Sequence, residues 1–107
     1  MVGDIALALF PFTNLRDAKI RPVLVVADVR YPSEQDWMVC EVTSQPRADV
    51  LRLPIADSDL ASGRLLRPSW VRPDRVMTLN EELFRRTIAR LTDSKTVEIL
   101  ASVRSFF

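Results

Sequence analysis

The chain has 107 residues, of which 48% are hydrophobic and 27% charged, a composition typical of a globular protein. We expect one domain over residues 1–107, long enough to bury a single core. It contains no histidine and one cysteine, which excludes a histidine acid–base pair, a serine triad and an intrachain disulfide, and argues against structural zinc. The net charge is only +1, so any attraction for nucleic acid must come from local clusters of arginine.

The apolar runs are too short to span a bilayer, and no basic segment precedes an apolar stretch at the N-terminus. We therefore expect a cytoplasmic protein with no membrane partner. The sequence has no glycine-rich phosphate loop and no cluster of metal-ligating residues. Neither a cofactor nor a metal is expected.

Three strands are predicted in the N-terminal half, at Asp4–Phe10, Arg21–Ala27 and Trp37–Thr43. The first and third alternate in hydrophobicity, which predicts side chains on two faces. The second holds the unbroken apolar run 23–26, which indicates burial on both faces.

The middle of the chain predicts a short strand at Val50–Leu53, ended by Pro54, and one helical turn over residues 57–63 with Gly63 as its stop signal. A long strand is predicted at Ser69–Leu79, with an edge position or a bulge at Pro73.

The C-terminal part predicts a short helix capped by Asn80, a last strand at Arg86–Leu91, and a helix that begins after Thr92 or Ser94 and ends near Ser105. Its apolar face is predicted to comprise Thr96, Ile99, Leu100, Val103 and Phe107. Five or six short strands with one terminal helix indicate a mostly β protein, a small and strongly bent antiparallel barrel.

Four motifs occur in a fixed order: GDIALALFPFT from Gly3, the Lys19–Pro22 segment KIRP, Thr43-Ser44-Gln45, and PSWVRPDRV over residues 68–76. In this combination the chain resembles the MazF/PemK family, the endoribonuclease toxins of type II toxin–antitoxin pairs. The resemblance covers roughly residues 3–91. It implies an SH3-like barrel with a C-terminal helix.

The resemblance also implies a mechanism and partners. Family members cleave single-stranded RNA without a metal and with sequence selectivity, using the RNA 2′-hydroxyl as the nucleophile. The products are a 2′,3′-cyclic phosphate and a 5′-hydroxyl, and the outcome is inhibition of translation and growth. A homodimer is implied, with an RNA groove across its interface that the tail of a cognate antitoxin occupies.

Arg21 matches the catalytic arginine of the family, and Thr43 its catalytic threonine. A guanidinium can donate two parallel hydrogen bonds to a phosphorane, and a hydroxyl can bond a phosphate oxygen or the 2′-hydroxyl. Alternatively, Arg21 is an ordinary surface arginine, and Thr43 bonds its own backbone at the end of a strand.

Arg72 and Asp74 match a family pair that is proposed as acid and base. Arginine does not readily release a proton, so we interpret Arg72 as an electrostatic stabiliser. Asp74 either accepts the 2′-hydroxyl proton, which requires a raised pKa, or orients an arginine or caps a turn. The general acid is not identified by the sequence.

Further RNA contacts are expected where the family motifs continue: Lys19, Ser44, Gln45, Phe12, Asn14 and Asp17. Asn14 stands where the family often has Asp, and Asp17 is the nearest local carboxylate in the first loop, which leaves full activity in question. Phe12, Trp37 and Trp70 either stack on bases or pack in the core or a dimer interface. Cys40 is interpreted as a small buried hydrophobe.

Two other functions remain open at this point. The chain could be a non-enzymatic toxin of the CcdB type that binds a protein target such as DNA gyrase, because it also ends in a helix, followed by Phe106 and Phe107. It could also be an inactive relative that only binds RNA. The arginine–threonine pair favours the nuclease.

Overall fold

A curled antiparallel sheet dominates the computed structural model, which describes residues 1–10, 19–47 and 51–107. In this part of the chain the sheet has seven strands, followed by one α-helix. In chain order they are β1 (Asp4–Phe10), β2 (Lys19–Asp28), β3 (Asp36–Thr43), β4 (Leu53–Ile55), β5 (Leu60–Gly63), β6 (Ser69–Asn80), β7 (Phe84–Leu91) and α1 (Asp93–Arg104).

Across the sheet the strands follow the order β4-β6-β3-β2-β1-β7-β5, so β4 and β5 form its two edges. The sheet curls into a half-barrel, which confirms the predicted mostly β class with a C-terminal helix. The expected number of five or six strands was too low, because β5 has only four residues and carries little periodicity.

The two faces of the sheet carry separate apolar clusters. One face, which we call the helix-covered face, presents Ile5, Leu24 and Cys40, and α1 contributes Ile99 and Val103 to the same cluster. The opposite face, which we call the Trp37 face, carries the following residues in its buried cluster: Ala8, Phe10, Val23, Val25, Trp37, Val39 and Leu79. Residues 23–26 contribute to both faces and are almost fully buried, as their unbroken apolar run predicted.

Burial of Cys40 raises the pKa of its thiol to about 12, because the thiolate is desolvated, and the charge of Asp74 adds to the shift. Cys40 is therefore the inert hydrophobe that its alternation predicted. Trp37 is also a core residue, only 4% exposed, and the Arg30 guanidinium stacks 4.5 Å from its ring centroid. It is thus not available as a base-stacking platform, whereas Trp70 is half-buried.

The C-terminal helix begins where Thr92 caps it, accepting a hydrogen bond from the Lys95 backbone N–H at 3.2 Å. Its buried side is built on Ile99 and Val103. Phe107 was predicted on this side but is 91% exposed. The helix ends at Arg104, so helical geometry no longer directs Phe107 toward the sheet.

Two predictions in the middle of the chain need correction. The strand expected at Val50–Leu53 is instead Leu53–Ile55, with Pro54 inside it, while residues 48–50 lie outside the described part. Proline is tolerated there because β4 is an edge strand whose outer N–H groups need no partner. The predicted helical turn is a single 3₁₀ turn, Asp57–Asp59, after which the chain forms β5.

Gly63 ends β5 rather than a helix, and its φ of 73° is open to glycine at little cost. A Cβ at this position would overlap the backbone carbonyl of Ile88 on β7. The close approach of the two backbones therefore depends on glycine.

Pro73 lies in the predicted bulge. Cys40 of β3 pairs with Val76, while the next residue, Glu41, pairs with Arg72, so three residues of β6 lie between consecutive pairs. The bulge projects Arg72, Asp74 and Arg75 next to one another at the end of the sheet.

Within the described residues, no helix is long and apolar enough to cross a membrane.

Candidate active site and nucleic-acid interface

Arg21 lies near the start of β2, at the end of the sheet where β1 and β3 end. It is exposed and pairs across β1 with Ala8, a buried residue of the Trp37 face. Directly paired residues share a face, so Arg21 belongs to that face as well. The apolar cluster beneath it gives the arginine a rigid base.

Thr43 is the neighbour of Arg21 on the next strand. Val23 of β2 pairs with Glu41 of β3, and continuing this register by two residues brings Arg21 opposite Thr43. Directly opposed residues have Cβ atoms about 4.5–5.5 Å apart. The strand register therefore brings together the two residues that the motifs singled out.

The Thr43 hydroxyl also has a local role, because its Oγ1 accepts a hydrogen bond from the Gln45 backbone N–H at 3.1 Å. This is the backbone contact foreseen as the alternative for Thr43. It does not exclude a functional role, since accepting this bond leaves the hydroxyl proton free to donate to a substrate oxygen. The turn also holds the hydroxyl in one orientation.

Arg72 and Asp74 extend the same polar row. Arg72 pairs with Glu41, which pairs in turn with Val23, two residues from Arg21 on the same face. Its Nη2 donates to Asp74 Oδ2 at 3.1 Å, and the two side chains are 18% and 36% exposed. Arg21, Thr43 and Arg72 thus belong to the Trp37 face, and Asp74 is bonded to Arg72.

Burial by itself would raise the pKa of Asp74, but the hydrogen bond and the charge of Arg72 outweigh it, and the pKa is lowered. A general base with a raised pKa, one of the two roles considered for Asp74, is therefore not supported. The geometry supports the other role, in which Asp74 orients Arg72.

Arg52 was missed by sequence analysis. Leu53 of β4 pairs with Val71 of β6, so the preceding residue, Arg52, lies across from Arg72. Its Nε donates weakly to the Gln45 carbonyl at 3.5 Å, and its positive charge contributes to the lowered pKa of Asp74. No sequence signal marks Arg52, because its position depends on a strand that was predicted in the wrong place.

Two guanidinium nitrogens of this row are buried without a hydrogen-bond partner, Arg52 Nη1 and Arg72 Nε. A buried donor without an acceptor is costly, so most such groups in proteins have partners. Unpaired guanidinium donors of this kind favour an anion as a ligand.

An open cavity of about 790 Å³ borders the row at the ends of β2 and β3. We call it the arginine groove, because its wall includes Arg21, Arg64, Arg67 and Arg86. Thr43, Ser44 and Gln45 line it as well, whereas Arg72 and Asp74 lie outside its wall.

The groove is locally cationic. None of the residues that line it is a carboxylate, and within the described ranges its four arginines form no ion pair. All four are exposed. The net charge of +1 thus conceals a concave surface of positive potential, which favours anions.

The other predicted RNA contacts are placed differently. Lys19 is exposed at the start of β2, where it pairs with Phe10, and it does not line the groove. Phe12, Asn14 and Asp17 lie outside the described residues. Their assignment stays a prediction.

A model of the "PemK-like, MazF-like toxin of type II toxin-antitoxin system" family matches residues 1–107. The chain belongs to this family. The resemblance noted from the FPFT, KIRP and TSQ motifs is thereby confirmed. Members of the family are endoribonuclease toxins, so the coarse functional class is that of a MazF-like toxin.

Solved structures agree with this assignment. The toxin MazF-mt6 of Mycobacterium tuberculosis superimposes with a TM-score of 0.66 at 25% identity, covering 94% of this chain and 90% of that one. A structure described as a crystal structure of an Mtb toxin gives 0.60 at 25% identity, covering 81% and 92%.

A third structure shows the fold alone. It is an endoribonuclease in complex with its cognate antitoxin from a mycobacterial species, with a TM-score of 0.65 at 14% identity, covering 99% of this chain and 89% of that one. Among curated proteins no match is found.

Proposed function

We propose that this toxin is a metal-independent endoribonuclease that cleaves single-stranded RNA with sequence selectivity and so inhibits translation and growth. The observation that supports the proposal is that Arg21 and Thr43, the two residues marked by the motifs, both line a cationic groove. Family membership adds support. Single-stranded RNA suits an open groove, because unstacked bases can be read at their edges.

In the proposed reaction the 2′-oxygen of the RNA attacks the adjacent phosphorus and loses its proton to solvent water. The bond from phosphorus to the 5′-oxygen breaks, leaving a 2′,3′-cyclic phosphate on one product and a 5′-hydroxyl on the other. Arg21 binds the non-bridging oxygens and stabilises the charge that develops on the phosphorane. Thr43 donates its hydroxyl proton to a phosphate oxygen and fixes the in-line geometry.

Arg72 and Arg52 supply further positive charge along the same row. Their buried unpaired N–H groups become satisfied when a phosphate oxygen arrives, so they favour the charged substrate and the more charged transition state. Asp74 positions Arg72. Water is the proposed proton donor to the leaving 5′-oxygen.

The proposed setting is the cytoplasm. Two copies of the chain form a homodimer whose shared groove binds RNA, and a cognate antitoxin regulates the toxin by occupying that groove. The antitoxin complex of a structural neighbour supports this partner. Sedimentation at micromolar concentration tests the dimer, and an active, purely monomeric protein would contradict a shared groove.

The decisive experiment incubates purified protein with single-stranded RNA in excess EDTA and analyses the product ends. We expect cleavage to persist, with 2′,3′-cyclic phosphate or 3′-phosphate ends. Replacing the nucleotide at the mapped cleavage site by its 2′-deoxy form should prevent cutting there.

Four outcomes would overturn the proposal. Loss of activity in EDTA with recovery on adding Mg²⁺ would indicate a metal-dependent mechanism, and 5′-phosphate ends would indicate another nucleophile. Binding of RNA without any cleavage would indicate an inactive relative. Growth inhibition without RNA binding would favour a protein target, as in CcdB-type toxins.

A further inference from the structure

The far wall of the arginine groove consists of residues that the proposed chemistry does not use. Arg64 and Arg67 lie in the connection between β5 and β6, and Arg86 lies on β7. The family motifs include none of the three. They line the same cavity as Arg21, although Arg86 shares the sheet face of Leu7 and Pro22 and Arg21 belongs to the opposite face.

The sheet register gives the spacing across the groove. Leu7 of β1 pairs with Pro22 on one side and with Arg86 on the other, so two strand spacings separate β2 from β7 at this level. With neighbouring strands about 4.8 Å apart, the separation is roughly 10 Å. The arginines are thus spread along the groove rather than gathered at one point.

Gly63 sets the position of the connection that carries Arg64 and Arg67. It pairs with Ala89 of β7 and has a left-handed backbone, and a Cβ there would overlap the Ile88 carbonyl. This close approach brings Arg64 beside β7, on which Arg86 lies. The cationic wall therefore has a structural basis in the sheet.

The charge of this wall is uncompensated. Its three arginines have exposed side chains that form no ion pair with any described residue, and no carboxylate is among the described residues of the wall. It can therefore bind a chain of negative charges.

We propose that Arg64, Arg67 and Arg86 bind the phosphates that flank the cleaved phosphodiester, so that the RNA backbone runs from Arg21 across β1 to β7. The inference rests on the proposed function in taking RNA as the ligand. Arginine is suited to phosphate because its fork matches two phosphate oxygens, and contacts to phosphate position a strand without reading its sequence. The three residues should therefore determine affinity and register, not the cleavage rate of bound RNA.

The test measures binding without cleavage. A fluorescent 2′-O-methyl RNA of mixed sequence, which lacks the nucleophile, is titrated with the full-length protein at several salt concentrations. Each phosphate contact on a single strand contributes about 0.7 to the slope of log affinity against log salt concentration. Three contacts therefore strengthen binding roughly 100-fold at 0.1 M salt relative to 1 M salt. We expect the Arg64→Ala/Arg67→Ala/Arg86→Ala variant to bind roughly 100-fold more weakly at 0.1 M salt, with a slope smaller by about 2.

Two controls separate charge in the groove from charge in general. Arg104→Ala removes one positive charge at the end of α1, away from the groove wall, and should leave affinity within about twofold. The triple Arg→Lys variant retains the charges and should recover most of the salt slope but less of the affinity, because an ammonium lacks the two-pronged geometry. Circular dichroism confirms that each variant is folded.

The outcomes distinguish this inference from the proposed function. Wild-type affinity in the folded alanine variant would overturn the inference even if RNA is cleaved. If the alanine variant loses RNA binding, the inference is supported. If the wild-type protein then binds RNA without cleaving it, the proposed nuclease function is wrong while the inference still holds. Unchanged RNA binding with lost binding of polyglutamate would assign the wall to an acidic peptide and overturn the inference.

Discussion

The arginines of this protein fall into two sets that differ in what lies opposite their guanidinium groups. In the first set each has a carboxylate partner: Arg30 pairs with Asp28 at 2.8 Å, and Arg90 pairs with Asp4 at 2.7 Å. Arg75 and Glu41 form a third pair at 3.2 Å. Positive charge in this set is neutralised locally, and these pairs act within the protein.

The second set lines the arginine groove and has no such partners within the described residues: Arg21, Arg64, Arg67 and Arg86. A nearly neutral chain can therefore present a strongly cationic surface, because its carboxylates are placed beside the first set. Arg72 is intermediate, since Asp74 pairs with one of its nitrogens while another is buried without a partner.

The largest effect is expected for Arg21→Ala. Loss of one preorganised donor to the transition state costs roughly 10²–10³ in kcat, by analogy with oxyanion holes. Binding of 2′-O-methyl RNA should fall much less, since other arginines also neutralise phosphates. Arg21→Lys should recover only part of the rate. Folded Arg21→Ala that cuts RNA at the wild-type rate would show that the catalytic assignment is wrong, and would turn attention to Arg72.

Arg52→Ala is expected to reduce the cleavage rate by roughly 10–100-fold, because a hydrogen bond to a charged group contributes about 1.5–3 kcal/mol. The matched control is Arg90→Ala, which removes an arginine paired with Asp4 and should leave the rate unchanged. Single-turnover cleavage of a mapped RNA measures both. Equal rates for the two variants would mean that the unpaired Arg52 nitrogen has no part in the reaction.

Thr43→Val should lower the rate by roughly 3–10-fold, since a neutral hydrogen bond contributes about 0.5–1.5 kcal/mol and the side chain keeps its shape. The substitution also removes the acceptor for the Gln45 N–H. Thr43→Ser retains the hydroxyl and serves as the control. If the serine variant is as defective as the valine variant, loss of the hydroxyl does not by itself explain the effect.

Asp74→Asn should lower the cleavage rate by far less than the 10²–10⁴-fold loss that follows the removal of a general base. The lowered pKa keeps this carboxylate ionised from neutral pH down to below its ordinary value of 3.8. Titration of Asp74 should therefore not shape the pH–rate profile above about pH 4, and the profiles of variant and wild type should coincide there. An inflection near neutral pH that disappears in the variant would instead identify Asp74 as the base.

The smallest effect on activity is expected in the paired set. The hydrogen bond from the Arg30 side chain, helped by the Arg30 backbone N–H, lowers the pKa of Asp28 from 3.8 to about 2. A depressed carboxylate pKa stabilises the folded state above the unfolded-state value, and this contribution is lost as the pH falls from about 4 to 2. Asp28→Asn should weaken the pH dependence of the denaturation midpoint between about pH 4 and 2. It should leave the rate of RNA cleavage unchanged. A slower cleavage rate would show that the paired set also acts on RNA.

Much of the sheet could be predicted from local pattern. The alternation in β1 and β3 and the unbroken apolar run in β2 predicted strands whose bounds agree with the structure within two residues. These strands have 7, 10 and 8 residues, which is long enough for periodicity to be visible. The edge strands β4 and β5 are too short for periodicity to be visible. The predicted position of β4 was also wrong, because Pro54 lies inside the strand instead of ending it.

The candidate site was predictable only in part. Arg21 and Thr43 were marked by their motifs, and the register places them side by side. Arg52 could not be found, because an arginine before a proline-containing edge strand carries no distinguishing pattern. Arg64, Arg67 and Arg86 were visible as clustered charge, but solvated surface charge has the same pattern in sequence.

The sequence by itself determined which residues face the core, because side-chain alternation is a local property of each strand. It also determined the family, through motifs of neighbouring residues. Only the tertiary structure decided which strands lie next to one another, and at what register, because the backbone hydrogen bonds of a sheet are alike at every position. That choice brings β7 beside β1 and β5 beside β7, places Arg86 across Leu7 from Pro22, and so assembles one cationic groove from arginines far apart in the chain.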